Sequence, residues 1–367
     1  MGATHLAGPV LVVGTGLLGT SIGLGLSRLG LTVLLSDTSP TAQQVAQDIG
    51  AGTIHVPGSS PQPTLVVVAA PPDVTAPAVS RALREHPAAT VVDIASVKTS
   101  ILRALQADPE LGEAELARYV GTHPMAGREK SGPAAARGEL FTAMPWVICA
   151  HTGSAQDSVR IAGSLAIDLG ATVHRLDAAD HDAAVALVSH FPQIASSLLA
   201  SRLMNAPAHA LALAGNGLRD TTRIAASDPR LWIQILSHNA PELVGILHGL
   251  REDLNRLIAT LENPQGPGAL LDLAELMGEG NAGQARIPGK HGAPPQAFAV
   301  VTVIVDDKPG QIARLLTDVG EVGVNLEDLR MEHSSGHQVG MVELSVLPGR
   351  SVELTEALME RSWKVVQ

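Results

Sequence analysis

Four short segments carry polar side chains in apolar or glycine-rich surroundings, where a folded chain can use them for chemistry. Histidine can accept or donate a proton near neutral pH, and two of the segments contain one. Taken singly, each has a structural alternative: Ser96 could cap a helix, His123 could be a loop residue, and His190 could be a satisfied core residue. The segments are "DIASVKTS" (93–100), "GTHPMAG" (121–127), "SHFPQ" (189–193) and "GLRDTTRIAASDPRLW" (217–232).

Arg219 and Arg223 lie four residues apart, so in a helix they share one face. One interpretation pairs Arg223 with Asp220 or Asp228 in a solvated surface network. Against it, the surrounding "TTRIAAS" is nearly uncharged, and a cation in such surroundings needs an anion. A bound carboxylate would supply that anion.

The stretch "GTGLLG" (14–19) follows a predicted strand and opens a predicted helix. Gly14 permits a tight turn, Gly16 allows a pyrophosphate to approach the backbone, and Gly19 allows close contact between helix and strand. The motif alone is weak evidence, but its position between strand and helix favours a dinucleotide site. The residues predicted to bind the cofactor here are Gly14, Gly16, Leu17, Leu18 and Gly19.

Asp37 ends the second predicted strand, where a ribose-binding acid is expected. A carboxylate accepts hydrogen bonds from ribose hydroxyls and repels a 2′-phosphate, so NAD is favoured over NADP as cofactor. A capping role before the "TSPTAQQ" helix is an alternative that does not exclude ribose binding.

These segments are positioned by an alternation of apolar runs and helical stretches up to about residue 177. Continuous apolar runs indicate parallel strands buried on both faces, which predicts a doubly wound α/β domain over 1–177. The predicted strands are "VLVVG" (10–14), "LTVLLSD" (31–37), "TLVVVAAPP" (64–72), "ATVVDIASVK" (89–98), "PWVICA" (145–150) and "ATVHRLD" (171–177).

Three further regions follow this domain. Residues 178–280 have helical periodicity and predict an all-α domain, and the Gly- and Pro-rich residues 281–296 predict a linker. Residues 297–367 predict a small α+β module of βαββαβ type. The long apolar helices with few charges predict that the helical domain packs against a second copy, as a homodimer.

The composition excludes several classes of function. A chain of 367 residues with a net charge of -11 has no general attraction for nucleic acid or an anionic membrane. The single cysteine, Cys149, is typical of a reducing cytoplasm, and the histidines lack metal-ligand spacing. Residues 10–26 are apolar, but glycines interrupt them and no basic segment precedes them, so neither export nor a membrane span is predicted.

Together and in this order, "GTGLLGTSIG", "DIASVK", "GTHPMAG", "SHFPQ" and "RDTTRIAASDPRLW" resemble the prephenate/arogenate dehydrogenases of tyrosine biosynthesis. The resemblance runs from about residue 9 to residue 280 and implies a Rossmann-type domain followed by a helical dimerisation domain. Residues 297–367 resemble an ACT domain, an amino-acid-sensing module, through "DDKPGQIARLL" and "GVNLEDL".

The resemblance implies NAD-dependent oxidation of the substrate's C4 carbinol with loss of the ring carboxylate as carbon dioxide. It places neutral His123 on the C4 hydroxyl as proton acceptor, presented by a turn that Pro124 and Gly127 hold. Ser96 would bind the same hydroxyl or the histidine. The remaining substrate-binding residues that it implies are Arg223 for a substrate carboxylate, Arg219 and Trp232 beside it, and His190 near the substrate or cofactor.

The chain departs from the family pattern at two positions. Many members carry a second histidine where this chain has Gln193, and smaller residues are common where it has Arg128. Gln193 is predicted to be a substrate-binding residue. Prephenate has a ketone where arogenate has an ammonium group, and a neutral Gln193 does not decide between them. With an ordinary histidine pKa of about 6.5 on His123, activity is expected to fall as the ring protonates.

The C-terminal module has two interpretations. It either packs or dimerises without a ligand, or it binds an aromatic amino acid, tyrosine, as a feedback effector. The resemblance puts the effector near Asp307, Gly310 and Asn325.

Two other functions compete with the family assignment. A β-hydroxyacid-type dehydrogenase would place a catalytic lysine on the helical domain, but residues 178–280 contain no lysine. A non-catalytic NAD- and amino-acid-binding sensor has no need of a proton acceptor, so Ser96, His123 and Arg223 argue against it.

Overall fold

The computed structural model describes residues 4–126, 132–288, 297–333 and 339–366. It divides into two compact units, Met1–Glu252 and Asp253–Gln367. Gly127 and Arg128 of the predicted turn and residues 289–296 of the predicted linker lie outside the described residues.

Eight strands form one sheet in the first unit, in the order β3-β2-β1-β4-β5-β6-β7-β8. Neighbouring strands are parallel except β6 and β7, which pair antiparallel. The sheet is therefore mixed and not wholly parallel as the apolar runs predict. The strands are β1 (Val10–Val13), β2 (Val33–Ser36), β3 (Thr53–Ile54), β4 (Leu65–Val68), β5 (Thr90–Asp93), β6 (Tyr119–Pro124), β7 (Pro145–Cys149) and β8 (Thr172–Arg175).

Helices cover both faces of this sheet. Alternate residues of β1 point to opposite sides, so Val10 and Val12 join one core cluster and Leu11 joins the other. The first cluster contains residues of α1 and α6, and the second contains residues of α3 and α4. This confirms a Rossmann-like, doubly wound domain. The helices are α1 (Leu17–Arg28), α2 (Pro40–Asp48), α3 (Pro72–Glu85), α4 (Thr99–Gln106), α5 (Glu113–Leu116) and α6 (Gln156–Asp168).

Strand β6 is absent from the sequence prediction, which treats its histidine as part of a turn. The sequence pattern does not indicate a strand here, because Gly121 and Pro124 are residue types that are uncommon in strands. At Gly121 the space is tight: a Cβ would lie 3.1 Å from Cδ of Lys98 and 3.2 Å from the Tyr119 hydroxyl, so a larger residue would press on these two side chains. His123 therefore stands on a buried strand between β5 and β7, and its placement in a loop is wrong.

The rest of the first unit and the start of the second are helical, and α13 extends into the segment predicted as linker. The run Ala178–Ser201 is long and apolar enough to cross a membrane, but one such helix is weak evidence because core helices pass the same test. The elements are α7 (Ala178–Val185), a π-helical segment (Ala186–His190), α8 (Phe191–Ser201), α9 (Ala208–Leu211), α10 (Asn216–Thr222), a 3₁₀ turn (Arg223–Ala226), α11 (Pro229–His238), α12 (Ala240–Glu262) and α13 (Ala269–Gln284).

The second unit contains a four-stranded antiparallel sheet in the order β10-β11-β9-β12. Its elements follow the predicted order of strand, helix, strand, strand, helix and strand. Alternate residues of β9, such as Val301 and Val303, are buried with Leu315 and Leu354 of the two helices. The elements are β9 (Ala299–Asp306), α14 (Gln311–Val322), β10 (Asp328–His333), β11 (Val339–Val346), α15 (Ser351–Glu360) and β12 (Lys364–Val366).

Candidate active site

The glycine loop between β1 and α1 has the features that a dinucleotide requires. A Cβ at Gly14 would overlap the carbonyl oxygen of Ala69, and one at Gly19 would overlap that of Gly14. A Cβ at Gly16, by contrast, meets no atom within 4 Å. Gly16 caps α1 without a side-chain hydrogen bond, and the first turn of the helix has no acidic residue. This open, positive helix end fits a phosphate group.

Asp37 lies beside this loop at the carboxyl end of β2. Its Oδ2 accepts hydrogen bonds from the backbone N–H and the hydroxyl of Thr15, the latter at 2.8 Å. Its Oδ1 accepts the N–H of Ser39 at 2.8 Å. Ser39, and not Asp37, caps α2, since Ser39 Oγ accepts the N–H of Ala42. The carboxylate therefore joins two loops at the edge where a ribose is expected.

Leu17 and Leu18 form the first turn of α1 and are half-buried. Leu18 packs against the core. Their backbone therefore lies at the open N-terminal end of the helix, and the side chain of Leu18 contributes apolar contact to the core.

His123 takes part in a buried chain of three side chains. Its Nδ1 lies 2.9 Å from Nε2 of His181, and Nδ1 of His181 lies 2.8 Å from Oδ1 of Asp182. The three residues are 8%, 0% and 2% exposed. Within the described residues, Nε2 of His123 has no hydrogen-bond partner. The ring is thus fixed at one nitrogen and open at the other.

Asp182 also joins the helical region to the sheet. Its two carboxylate oxygens accept the backbone N–H groups of Lys98 and Thr99, each at 2.8 Å. These groups stand at the N-terminus of α4, where a carboxylate is stabilised by the helix dipole. Asp182 thus caps α4 from another part of the chain, and the interpretation of Ser96 as that cap is wrong.

Ser96 lies half-buried in the loop between β5 and α4. The strands β5 and β6 are parallel neighbours with Asp93 opposite Gly121, so Ser96 and His123 both follow the same edge of the sheet. The Ser96 hydroxyl has no hydrogen-bond partner in the described part of the chain. Ser96 can therefore offer its hydroxyl to a ligand.

A buried ion pair underlies this loop. Nζ of Lys98 contacts Oδ1 of Asp93, and the hydroxyl of Tyr119 donates to Oδ2 of Asp93 at 2.8 Å. The Lys98 side chain is 1% exposed and that of Asp93 is 0% exposed. Since a buried charge must be paired, these groups fix the loop that carries Ser96.

The histidines of the site are neutral at neutral pH. Burial lowers the pKa of His123 well below its usual value, and nearby His181, Lys98 and His190 lower it further. Burial also lowers the pKa of His181, and it lowers that of His190 to about 4. The sequence-based expectation of an ordinary pKa for His123 is therefore wrong, because its ring is enclosed.

His190 lies at the end of the π-helical segment and is 1% exposed. Nδ2 of Asn239 donates to the carbonyl oxygen of Asp182 at 2.8 Å and lies 3.0 Å from Nδ1 of His190. Since that nitrogen of His190 accepts, its proton is on Nε2. The ring meets Trp232 edge to face, with centroids 6.0 Å apart.

Gln193 and the two predicted arginines belong to neighbouring helical elements. Gln193 is buried on α8, and its Nε2 donates to Oγ of Ser197 at 3.3 Å. Arg219 is exposed on α10, and Arg223 begins the 3₁₀ turn that packs against α8. Neither guanidinium is a hydrogen-bond partner of His123 within the described residues. Asp228, the suggested partner of Arg223, pairs with Arg230 at 3.3 Å.

Sequence reasoning missed His181, Asp182 and Asn239. The signal for the first two was present: "DHD" (180–182) opens an otherwise apolar helix, where charged groups need partners. Asn239 gave no comparable signal, because its partners lie 49 and 57 residues away along the chain.

The predicted effector residues lie at opposite ends of the C-terminal sheet. Asp307 and Gly310 follow the last residue of β9, whereas Asn325 precedes β10, whose first residue pairs with Ser345 and so lies beside the start of β9. Asp307 is exposed, Gly310 has a φ of +85° at the start of α14, and Asn325 donates to Glu327 at 2.9 Å. The module also has a groove of about 350 Å³ between β9 and α15. The groove is lined by the N-terminal end of β9, including Val300, and its lining does not include the predicted effector residues.

Comparison with known proteins assigns most of the chain to one family. The model described as prephenate dehydrogenase, nucleotide-binding domain, matches residues 22–175, and that described as prephenate dehydrogenase, dimerization domain, matches residues 177–279. A probable prephenate dehydrogenase of Streptomyces niveus, NovF, is 38% identical over 360 residues, which are 96% of this chain and 98% of that protein.

Two solved structures share the fold over about three quarters of the chain. Synechocystis arogenate dehydrogenase has a TM-score of 0.60 and 26% identity, and the match covers 75% of this chain and 99% of that one. Prephenate dehydrogenase from A. aeolicus, in complex with hydroxyphenyl propionate and NAD+, has a TM-score of 0.65 and 24% identity, covering 76% and 99%.

Proposed function

The chain belongs to the prephenate dehydrogenase family, and we propose that it catalyses the NAD-dependent oxidative decarboxylation of prephenate to 4-hydroxyphenylpyruvate. The observation that carries this proposal is the His123 ring, fixed at Nδ1 and open at Nε2, at the same sheet edge as the glycine loop. A neutral imidazole in that position can accept the proton of a substrate hydroxyl.

The glycine loop and Asp37 fit NAD. Close backbone approach at Gly16 and the open end of α1 suit the pyrophosphate, and the carboxylate of Asp37 suits unphosphorylated ribose. The related A. aeolicus structure contains NAD+. When bound, NAD supplies the acceptor for the hydride that leaves C4 of the substrate.

His123 and Ser96 carry out the proton chemistry. As the hydride leaves C4, Nε2 of His123 takes the proton of the C4 hydroxyl, which becomes a carbonyl. The electron pair of the bond to the ring carboxylate then enters the ring as carbon dioxide departs. His123 returns its proton to the oxygen, which gives the phenol. Ser96 orients the hydroxyl by a hydrogen bond.

Arg223 is proposed to bind a substrate carboxylate, with Arg219 and Trp232 on the same helical side. A guanidinium can hold a carboxylate through two parallel hydrogen bonds. The Nε2–H of neutral His190 supplies a further donor. Gln193, which the Ser197 hydroxyl already engages, is proposed to face the side chain that distinguishes prephenate from arogenate.

Arogenate is the second candidate substrate, because the related Synechocystis structure is an arogenate dehydrogenase. The test is NADH formation by the purified chain with NAD and either prephenate or arogenate in separate reactions. A rate with prephenate well above that with arogenate is expected. The reverse preference assigns the second substrate, and no rate with either contradicts the proposed reaction.

A homodimer is proposed to form through the helical region, which matches the family's dimerization domain. This region exposes large apolar side chains that a monomer leaves in water: Leu187, Val188, Leu198, Met204 and Leu213 are between 55% and 85% exposed. Light scattering coupled to size-exclusion chromatography should give twice the chain mass. A cytoplasmic location is also proposed, consistent with one buried, unpaired cysteine.

The C-terminal module is proposed to be an ACT domain that binds tyrosine. Its strand and helix order and its antiparallel sheet support the ACT assignment, and the loops that carry Asp307, Gly310 and Asn325 are accessible. Asn325→Ala should raise the tyrosine concentration needed for inhibition and leave the KM for prephenate unchanged. Unchanged inhibition would assign tyrosine to the active site, where it can compete directly.

A further inference from the structure

The buried pair of His181 and Asp182 has no part in the mechanism above, yet it contacts the proposed base directly. We propose that His181 and Asp182 are positioning residues that hold His123 in the one tautomer able to take the substrate's proton. The inference rests on the proposed function and deepens it. It assigns a role to two residues that the family motifs in this sequence do not single out.

The order of hydrogen bonds determines where each proton sits. Asp182 accepts the N–H groups of Lys98 and Thr99. Burial raises the pKa of Asp182, but the hydrogen bonds that it accepts together outweigh burial and hold the pKa below its usual value. An ionised carboxylate can only accept, so Nδ1 of His181 must donate to it. Because His181 is neutral, its Nε2 then carries a lone pair.

The same reasoning extends to His123. Its Nδ1 lies 2.9 Å from Nε2 of His181, and two lone pairs cannot face each other at that distance. Nδ1 of His123 therefore carries the proton, and Nε2 presents its lone pair. This is the nitrogen that has no partner within the described residues. The hydrogen bonds that run from the Asp182 carboxylate through His181 to His123 thus leave Nε2 of His123 as a hydrogen-bond acceptor.

The arrangement also acts during the reaction. When His123 takes the proton, its Nδ1–H faces the lone pair of His181, whose own N–H faces the Asp182 carboxylate. The new positive charge is stabilised by hydrogen bonds that are already in place, so no group has to reorient. His181 faces His123 as a neutral acceptor and not as a second positive charge, because burial lowers its pKa.

Three variants test the proposal. His181→Leu removes the acceptor, whereas His181→Gln keeps an oxygen that can accept from His123. Since general base catalysis contributes about 10² to 10⁴ in rate, His181→Leu should lower kcat about a hundredfold or more. The KM for prephenate and the Kd for NAD should stay within about twofold, and His181→Gln should recover at least about a tenth of the wild-type kcat. His86→Leu is the matched control, because His86 is a buried histidine with a lowered pKa that takes no part in the hydrogen bonds between His123, His181 and Asp182.

The second readout is the tautomer itself, measured by nitrogen-15 NMR of histidine-labelled protein at neutral pH, with His123→Gln used to assign the signal. Wild-type His123 should carry its proton on Nδ1, and His181→Leu should shift it towards Nε2. A wild-type ring protonated on Nε2 overturns the proposal, as does a His181→Leu variant with unchanged kcat. Because this readout needs no substrate, a wild-type enzyme inactive with both substrates would contradict the proposed function without deciding the tautomer.

Discussion

A methyl group added at Gly16 is expected to weaken NAD binding while leaving the fold intact. Gly16 has φ of −70° and ψ of −164°, an extended conformation that alanine adopts freely. A Cβ at this position has no heavy atom within 4 Å. Loss of glycine as the helix cap costs up to about 1 kcal/mol, and the lower entropy of the unfolded chain offsets a similar amount. The free energy of unfolding should therefore change by less than about 1 kcal/mol.

Binding is affected differently, because the empty space at Gly16 is where the pyrophosphate must approach the backbone. A methyl group there separates the phosphate from the N–H groups at the start of α1. Loss of one such charge-assisted hydrogen bond, about 1.5–3 kcal/mol, corresponds to roughly a 10- to 150-fold rise in the Kd for NAD. Isothermal titration calorimetry measures the Kd, and differential scanning fluorimetry measures the Tm.

Gly19→Ala is the control for this prediction. Its Cβ would overlap the carbonyl oxygen of Gly14, which is backbone and cannot move aside cheaply. Overpacking of this kind costs about 1–3 kcal/mol, so the Tm should fall by roughly 4–8 °C at the middle of that range. Gly16→Ala should thus separate binding from stability, and Gly19→Ala should lower both. Wild-type NAD affinity in Gly16→Ala would refute the placement of the pyrophosphate.

Four further outcomes are expected. Because burial holds the pKa of His123 well below 6.5, kcat should stay constant through pH 6.5 and fall only at lower pH; a midpoint at or above 6.5 contradicts this. The unfolded chain protonates its histidines below about pH 6.5, whereas folded His190 does so near 4, so the Tm should fall as pH is lowered across that window. Arg223→Ala should raise the KM for prephenate by roughly 10- to 100-fold with the Kd for NAD within twofold; equal losses indicate a structural role. Asp37→Asn should raise the ratio of kcat/KM for NADP to that for NAD by about tenfold, equivalent to about 1.4 kcal/mol. An unchanged ratio would contradict the proposed contact between Asp37 and the ribose.

Most of the doubly wound domain was predictable, because local sequence patterns indicate the order of its strands and helices. The apolar runs that became β1, β4 and β5 are buried on both faces, and Gly14 and Gly19 stand where a Cβ would overlap backbone atoms. Strand β6 was not predictable from the same pattern. Gly121 stands against the buried side chain of Lys98, a neighbour that the strand's own sequence does not reveal.

The polar part of the site was predictable only in part. His123 and Ser96 stand out because each lies in a short, unusual motif. The residues that hold the site in place do not stand out in the sequence. Asp182 caps a helix that begins 83 residues earlier, and Asn239 donates a hydrogen bond to the carbonyl oxygen of that same aspartate. A capping residue is recognised from sequence only when it directly precedes its helix. Ser96 lies just before α4 and is therefore the candidate cap in the sequence, whereas the residue that accepts the N–H groups of this helix is the distant Asp182.

The long-range contacts through Asp182 affect the order in which the parts of the molecule fold. The glycine loop is completed by contacts spanning 22 residues, from Thr15 to Asp37, whereas the base is completed by contacts spanning 58 and 84 residues. Closing longer loops costs more chain entropy, so the nucleotide half should organise first as the protein folds. A partly folded molecule can then hold its cofactor before its base is oriented, and hydride chemistry begins only when α7 has docked on the sheet.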